Sequence, residues 1–160
     1  MNKYLKLFYI ILLIVLLPVI KACKDNTPDQ PNQQGNKITA VHLDLLAEGK
    51  GKQDVTIQFR DTDGVNGKQS ASPLRLQENT TYTVKIMLLD ESKTPVADVS
   101  VAYNNSFQVT GGANLTITKT DRQFQFKTGA ATTNTDGLLR LEMKQNTDVQ
   151  NVTFPLLISQ

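Results

Sequence analysis

The stretch Tyr82-Thr-Val-Lys-Ile-Met-Leu88 carries the clearest structural pattern in the sequence. Apolar residues stand at every second position, whereas one face of an α-helix would need them three or four positions apart. Successive side chains of a β-strand point to opposite faces, so this spacing predicts a strand with one buried and one solvated face. The predicted buried face consists of Tyr82, Val84, Ile86 and Leu88.

The same two-residue period recurs on both sides of this stretch, from Lys37 to the end of the chain, and no segment has a convincing helical period. Turns rich in Gly, Asn and Asp separate the runs at intervals of roughly ten residues, which is typical of two antiparallel sheets packed face to face. We therefore predict an all-β domain over residues 37–160, an antiparallel, immunoglobulin-like β-sandwich of roughly eight to ten strands. An open barrel is the alternative. The other alternating runs are Val41, Leu43, Leu45; Val55, Ile57, Phe59; Leu74, Leu76; Val99, Val101, Tyr103; Phe107, Val109; Leu115, Ile117; Phe124, Phe126; Leu139, Leu141, Met143; and Val152, Phe154, Leu156, Ile158.

Pro155 interrupts the last of these runs. Proline has no backbone N–H and cannot donate a hydrogen bond to a neighbouring strand. We expect the last strand to lie at a sheet edge or to carry a bulge.

The positive charge of the chain is concentrated at its N-terminus. Lys and Arg number 17 against 15 Asp and Glu, but residues 1–22 hold three of the cations and no acid. The other 138 residues carry 14 cations against 15 acids, and residues 37–160 carry 13 of each. A nucleic-acid-binding protein needs a net basic face, so we do not expect nucleic acid as a partner.

Residues 1–22 have the layout of a bacterial export signal. A cationic start, residues 1–6, precedes the apolar run of residues 7–17 and a short segment that ends in the small residue Ala22. The apolar run ends at Pro18 and is shorter than the roughly 20 residues that span a membrane as a helix. We predict a signal peptide over residues 1–22, and an uncleaved N-terminal anchor is the alternative.

The only cysteine, Cys23, excludes an intramolecular disulfide and follows the signal directly. With Ile20 and Ala22 before it, the segment resembles the lipobox of bacterial lipoproteins, although Lys21 stands where a small uncharged residue is usual. The resemblance implies cleavage before Cys23 and acylation of that residue, for example with palmitate, which anchors the chain in a membrane.

The stretch over residues 24–36 contains no apolar residue, so we expect it to form a flexible tether behind the lipidated Cys23. Its start, Cys23-Lys24-Asp25, resembles the acidic signal of Bacteroidota lipoproteins that move to the cell surface. That resemblance implies an outer-membrane location, with the cell surface favoured over the periplasmic face.

Asp61, Asp63 and Asn66 form a candidate calcium site in a glycine-containing loop. Closely spaced oxygen ligands in one loop are typical of such sites, but no bidentate Glu follows and Lys68 would oppose a dication. Asp, Asn and Gly also favour ordinary turns for conformational reasons, and the plain turn is the preferred interpretation. No other cofactor is expected.

The remaining polar residues form no recognisable catalytic set. His42, with Asp44 on the same strand face, is the only histidine and is expected to face solvent. Asp90 and Glu91 are adjacent on a strand, so their side chains point to opposite faces and are not expected to act on one bond. We expect Tyr103 to belong to the core rather than to a stacking surface, and we predict that the chain is not an enzyme.

The sequence also resembles a group of small Bacteroidota outer-membrane lipoproteins, many of them near TonB-dependent receptors. The resemblance covers nearly the whole domain, through structural rather than chemical motifs. It implies a lipid-anchored accessory protein of an outer-membrane receptor. Matching segments lie at residues 59–64, 79–95, 114–118, 128–131 and 152–158.

These observations predict a non-catalytic, lipid-anchored envelope protein that serves as an accessory or binding module for an outer-membrane receptor or its ligand. A structural or adhesive cell-surface lipoprotein is the alternative, and a calcium-dependent binding module is a further one. Sites on β-sandwich loops combine distant segments, so the sequence does not name the ligand-binding residues.

Overall fold

The alternating segments form eleven β-strands in the part of the chain that a computed structural model describes, namely residues 37–121, 123–131 and 137–160. Two of them have only two residues each, too few for a periodic signal, so the number exceeds the eight to ten predicted. The strands are β1 (Ala40–Glu48), β2 (Val55–Arg60), β3 (Lys68–Gln69), β4 (Leu74–Gln77), β5 (Thr81–Asp90), β6 (Ala97–Asp98), β7 (Asn104–Thr110), β8 (Leu115–Thr120), β9 (Gln123–Thr128), β10 (Gly137–Gln145) and β11 (Asp148–Ser159).

All eleven strands belong to one structural unit, Asn36–Gln160. The predicted signal peptide, residues 1–22, and the predicted lipidated Cys23 with its tether, residues 23–36, lie outside the described residues. No helix within the described ranges is long and apolar enough to span a membrane.

The strands build two sheets. The first sheet has the order β2-β1-β5-β9-β8, with β6 paired to the last two residues of β5, and all its pairs are antiparallel. The second sheet has the order β3-β11-β10-β7, with β4 also on β11; β3 and β4 run parallel to β11 and the other pairs are antiparallel. The prediction of an all-β, two-sheet sandwich is confirmed.

One apolar core joins the two sheets. Tyr82 and Phe126 of the first sheet and Phe154 of the second are its largest fully buried side chains. Phe107 of β7 packs its ring edge-to-face on Phe124 and Phe126, with ring centroids 4.9 and 5.0 Å apart. Such contacts add to the stabilisation that burial provides.

The expectation that Pro155 marks an edge strand or a bulge is wrong. β11 has β10 on one side and β3 with β4 on the other, and its pairing with β10 continues through Pro155 without a bulge. Pro155 lies between the two short partners: β3 pairs with Val152 and Thr153, and β4 pairs from Leu156 onward. Pro155 therefore lies in the gap between β3 and β4, where no strand needs a hydrogen bond from its missing N–H.

The predicted strand over Val99, Val101 and Tyr103 is also wrong. Residues Ser100–Ala102 form a 3-10 helix, the one helical element within the described ranges. Val99 and Tyr103 are buried as expected, whereas 94% of Val101 is exposed. The turn places Val101 outside the core.

Candidate functional site

A groove with a volume of about 750 Å³ opens beside β5 where this strand changes partner. Pairing with β9 extends along β5 as far as Val84, and pairing with β6 begins at Leu89. Residues 85–88 therefore have no strand partner on this side within the described residues. We call this feature the β5 groove; its lining residues are Leu46, Thr83, Val84, Lys85, Ile86, Ser100, Val101, Tyr103, Asn104, Asn105, Lys119, Thr120, Asp121, Gln123 and Phe124.

Hydrogen bonds of Asp98 and Ser100 hold the turn that forms one wall of the groove. The Asp98 carboxylate accepts from the hydroxyl and the N–H of Ser100, at 2.6 and 2.9 Å. These two bonds stabilise the charged form and hold the pKa of Asp98 below its usual value. The Ser100 hydroxyl oxygen also accepts from the N–H of Leu88, at 2.8 Å, and so satisfies part of the unpaired stretch of β5.

Two apolar side chains at the groove face solvent. Val101 is 94% exposed and Leu46 is 52% exposed, while Val84 and Phe124, which also line the groove, are buried. A single exposed apolar residue is ordinary, but apolar groups gathered at a concave surface are typical of binding sites.

The polar groups of the groove come from both sheets. Lys119 of β8 donates to the carbonyl of Asn105 on β7, at 2.9 Å, and its ammonium lies 5.1 Å from the ring centroid of Phe124. The Asn105 side-chain oxygen is buried and has no hydrogen-bond partner among the described residues. An occupant with an N–H or O–H donor would satisfy this acceptor and relieve its desolvation cost.

Tyr103 is only 7% exposed, so the expectation that it belongs to the core is confirmed. Its hydroxyl lies 3.5 Å from the side-chain nitrogen of Gln150, which donates to it. Burial, followed by the negative charges of Asp148 and Asp90, raises the pKa of Tyr103. This tyrosine is therefore neutral at physiological pH and brings no charge to the groove.

The candidate calcium residues have protein partners. Asp61 accepts the N–H of Asp63 at 2.9 Å and lies 3.3 Å from the Lys68 ammonium. The side-chain oxygen of Asn66 accepts the N–H of Asn151 at 3.0 Å, which ties the loop to β11. Calcium would have to displace Lys68 from Asp61, and calcium binding by Asp61, Asp63 and Asn66 stays a prediction. No group of three or more His, Cys, Asp or Glu residues within the described ranges is placed to hold a metal ion.

The contacts of Asp61 predict an acid-sensitive contribution to stability. The N–H of Asp63, followed by the Lys68 ammonium, lowers the pKa of Asp61 from 3.8. A carboxylate whose pKa is lower in the folded state than in the unfolded state stabilises the fold fully when the pH is above its unfolded-state pKa. This contribution is lost as the pH falls through the folded-state pKa. We expect Asp61→Asn to reduce the fall in melting temperature between pH 5 and pH 2. Thermal unfolding followed by circular dichroism checks this, and identical pH profiles for both chains would contradict it.

The other candidate polar residues have separate partners. The ring of half-buried His42 contacts the side chain of Gln58, and Asp44 accepts the Thr56 hydroxyl at 2.9 Å, both on the outer face of the first sheet. Asp90 is buried and accepts from the N–H of its neighbour two residues on, whereas Glu91 forms an ion pair of 3.2 Å with Arg60. The carboxylates of Asp90 and Glu91 thus have different partners and do not form a pair.

No protein-family model, curated protein or solved structure matches the chain. The β5 groove and the N-terminal sequence are therefore the features of this chain that indicate a function. Sequence reasoning missed the groove because it assigned Val101 to the core. The local signal was Asp98 two positions before Ser100, a pair that favours a turn through side-chain bonds to the backbone.

Proposed function

We propose that the chain is a non-catalytic, lipid-anchored envelope protein whose β-sandwich docks on an outer-membrane receptor or captures a ligand for it. Acylated Cys23 would hold it in the outer membrane, and residues 24–36 would link the anchor to the sandwich. The TonB-dependent class of receptor follows from the sequence resemblance. Display at the cell surface is favoured by the Cys23-Lys24-Asp25 signal.

The observation that supports a binding role best is Val101, an apolar side chain that the fold leaves 94% exposed at the β5 groove. Hydrogen bonds between Asp98 and Ser100 fix the turn that carries Val101, so the position of its side chain is defined by the fold. Full burial of a valine stabilises by about 1.5 kcal/mol, which corresponds to roughly a tenfold change in affinity. A partner that covers this surface would gain that amount.

We expect Val101→Glu to lower the recovery of the outer-membrane receptor with this protein by at least roughly tenfold. The substitution places a charge where the partner must exclude water, and it should leave the melting temperature unchanged because the site is exposed. Co-purification from detergent-solubilised envelopes measures the effect.

The matched control is Val149→Glu, which changes an exposed valine of β11 that does not line the groove. We expect receptor recovery with this variant to equal that of the unsubstituted chain. Unchanged recovery with Val101→Glu, or equal loss with both variants, would show that the groove is not the docking site.

A structural or adhesive role is the second candidate, and the outer face of the first sheet favours it. This face presents an array of exposed hydroxyl and amide groups that suits contact with matrix polymers. Protease treatment of intact cells discriminates between the two roles, since a fully protected domain cannot be a surface adhesin. Outside the β5 groove the array includes Thr56, Thr116, Thr118 and Gln125.

A further inference from the structure

β7 is an edge strand whose own sequence lacks the features that usually protect sheet edges. Exposed edges present unpaired N–H and C=O groups, and proteins blunt them with charges, prolines or very short strands. At the other edges, β2 carries Arg60, β8 carries Lys119, and β3 and β4 have two and four residues. β7 has seven residues and contains neither a charge nor a proline.

The free side of β7 is defined by the hydrogen bond of Asn105. Its carbonyl accepts from Lys119 of the first sheet, so it points away from β10. Alternate residues of an antiparallel strand direct their backbone groups to the same side. Phe107 and Val109 therefore present N–H and C=O groups at the edge, and no strand pairs with them there among the described residues.

We infer that β7 pairs antiparallel with β7 of a second copy of this chain, about a two-fold axis at Phe107. The two second sheets would then form one continuous sheet. In this register Phe107 faces its own copy, Asn105 faces Val109, and Ser106 faces Gln108. On the core side two Phe107 rings meet and Asn105 meets Val109, and uncharged polar positions meet on the outer side.

The charge pattern favours a second copy as the occupant. A symmetric interface brings each residue close to itself or to its near neighbours, so a charged edge strand would repel its own copy. β7 adds no charge of its own, and the Lys119 ammonium at its Asn105 carbonyl would lie near the ends of the pairing, away from the axis at Phe107. A carbonyl oxygen has two lone pairs, so that of Asn105 can accept the N–H of Val109 beside Lys119.

Anchoring in a membrane would allow a small interface to hold two copies together. This step of the inference rests on the proposed lipid anchor at Cys23. A seven-residue edge is about 24 Å long, and alone it falls short of the roughly 1,200 Å² that stable interfaces bury. Residues 24–36 reach at most about 45 Å from Cys23, so anchored domains would share one thin layer above the membrane. Linking binding sites in this way raises their effective concentration to about the millimolar range.

The test is disulfide cross-linking in intact cells that express two tagged full-length chains, one with Ser106→Cys and one with Gln108→Cys. In the proposed register these positions form a pair whose Cα atoms lie about 4.5 Å apart, within the range of disulfides. We expect mild oxidation to give a dimer carrying both tags at least tenfold above the unsubstituted chain, whose Cys23 reports the background.

The matched control is a pair with Thr116→Cys and Thr118→Cys on the edge strand β8, which should give no dimer above background. Failure of the β7 pair to cross-link, equal cross-linking of the β8 pair, or an adduct with another protein would each overturn the inference. Palmitate labelling in the same cells separates the two hypotheses. Labelled chains without a dimer refute only the pairing, and unlabelled chains refute the proposed anchor.

Discussion

Cys23→Ala abolishes palmitate incorporation into this protein, by at least roughly tenfold relative to the unsubstituted chain, if the N-terminal segment is the lipoprotein signal we propose. Cys23 is the only thiol in the chain, so no second cysteine can accept a thioether-linked lipid. Two or more acyl chains give stable anchoring, because each buried CH₂ contributes about 0.8 kcal/mol. The protein should also leave the outer-membrane fraction.

Metabolic labelling with a clickable palmitate analogue measures this change, and Lys24→Ala, one residue further on, is the matched control and should label normally. The mass of the unsubstituted chain gives a second reading, because cleavage removes residues 1–22. An unlabelled chain that retains those residues would instead support the uncleaved N-terminal anchor.

Phe126→Ala should produce the largest loss of stability among single substitutions in the sandwich. Phe126 is fully buried, and its ring packs edge-to-face on Phe107, which links the two sheets. Truncation of a buried phenylalanine costs about 3–5 kcal/mol, because apolar contacts are lost and a cavity remains. For a domain of this size we expect the melting temperature to fall by roughly 10 °C or more.

Urea unfolding of the purified chain, followed by circular dichroism because the sequence has no tryptophan, checks this prediction. Phe59→Ala is the matched control: it is the same substitution on the edge strand β2, where the ring is only partly buried, and it should cost less. A loss below about 1 kcal/mol for Phe126→Ala would contradict the described core.

Alternation of apolar residues was sufficient to predict most strands because one sheet face is buried throughout. Tyr82, Val84 and Leu88 on β5 are all buried, as are Leu139 and Leu141 on β10. The period fails where side-chain hydrogen bonds turn the backbone. Between Val99 and Tyr103 the spacing is that of a strand, but the chain forms a 3-10 helix there.

The candidate site depends on strand partners, which a single sequence does not specify. The β5 groove exists because β9 stops pairing at Val84 and β6 starts at Leu89, and these limits arise from contacts distant in sequence. The position of Pro155 has the same origin, since only the structure shows that it lies in the gap between β3 and β4. The strand pairings also define the free edge of β7.

The loop residues illustrate the limit of motif reasoning. Asp61, Asp63 and Asn66 have the composition of a calcium loop. In the structure, however, Asp61 forms an ion pair with Lys68, and the side chain of Asn66 accepts a hydrogen bond from β11. Residue type and spacing describe both interpretations equally well. The two differ in whether the side-chain oxygens bond to protein groups or are available to a metal ion, and only a structure shows this.

Site-specific photo-cross-linking in intact cells tests the proposed binding role most directly. A photoreactive amino acid replaces Val101 at the β5 groove in one chain and Thr118 on the outer face of the first sheet in another. The proposal predicts an adduct with the outer-membrane receptor from position 101 and none from position 118. An adduct from position 118 alone, or none from either position, would contradict it.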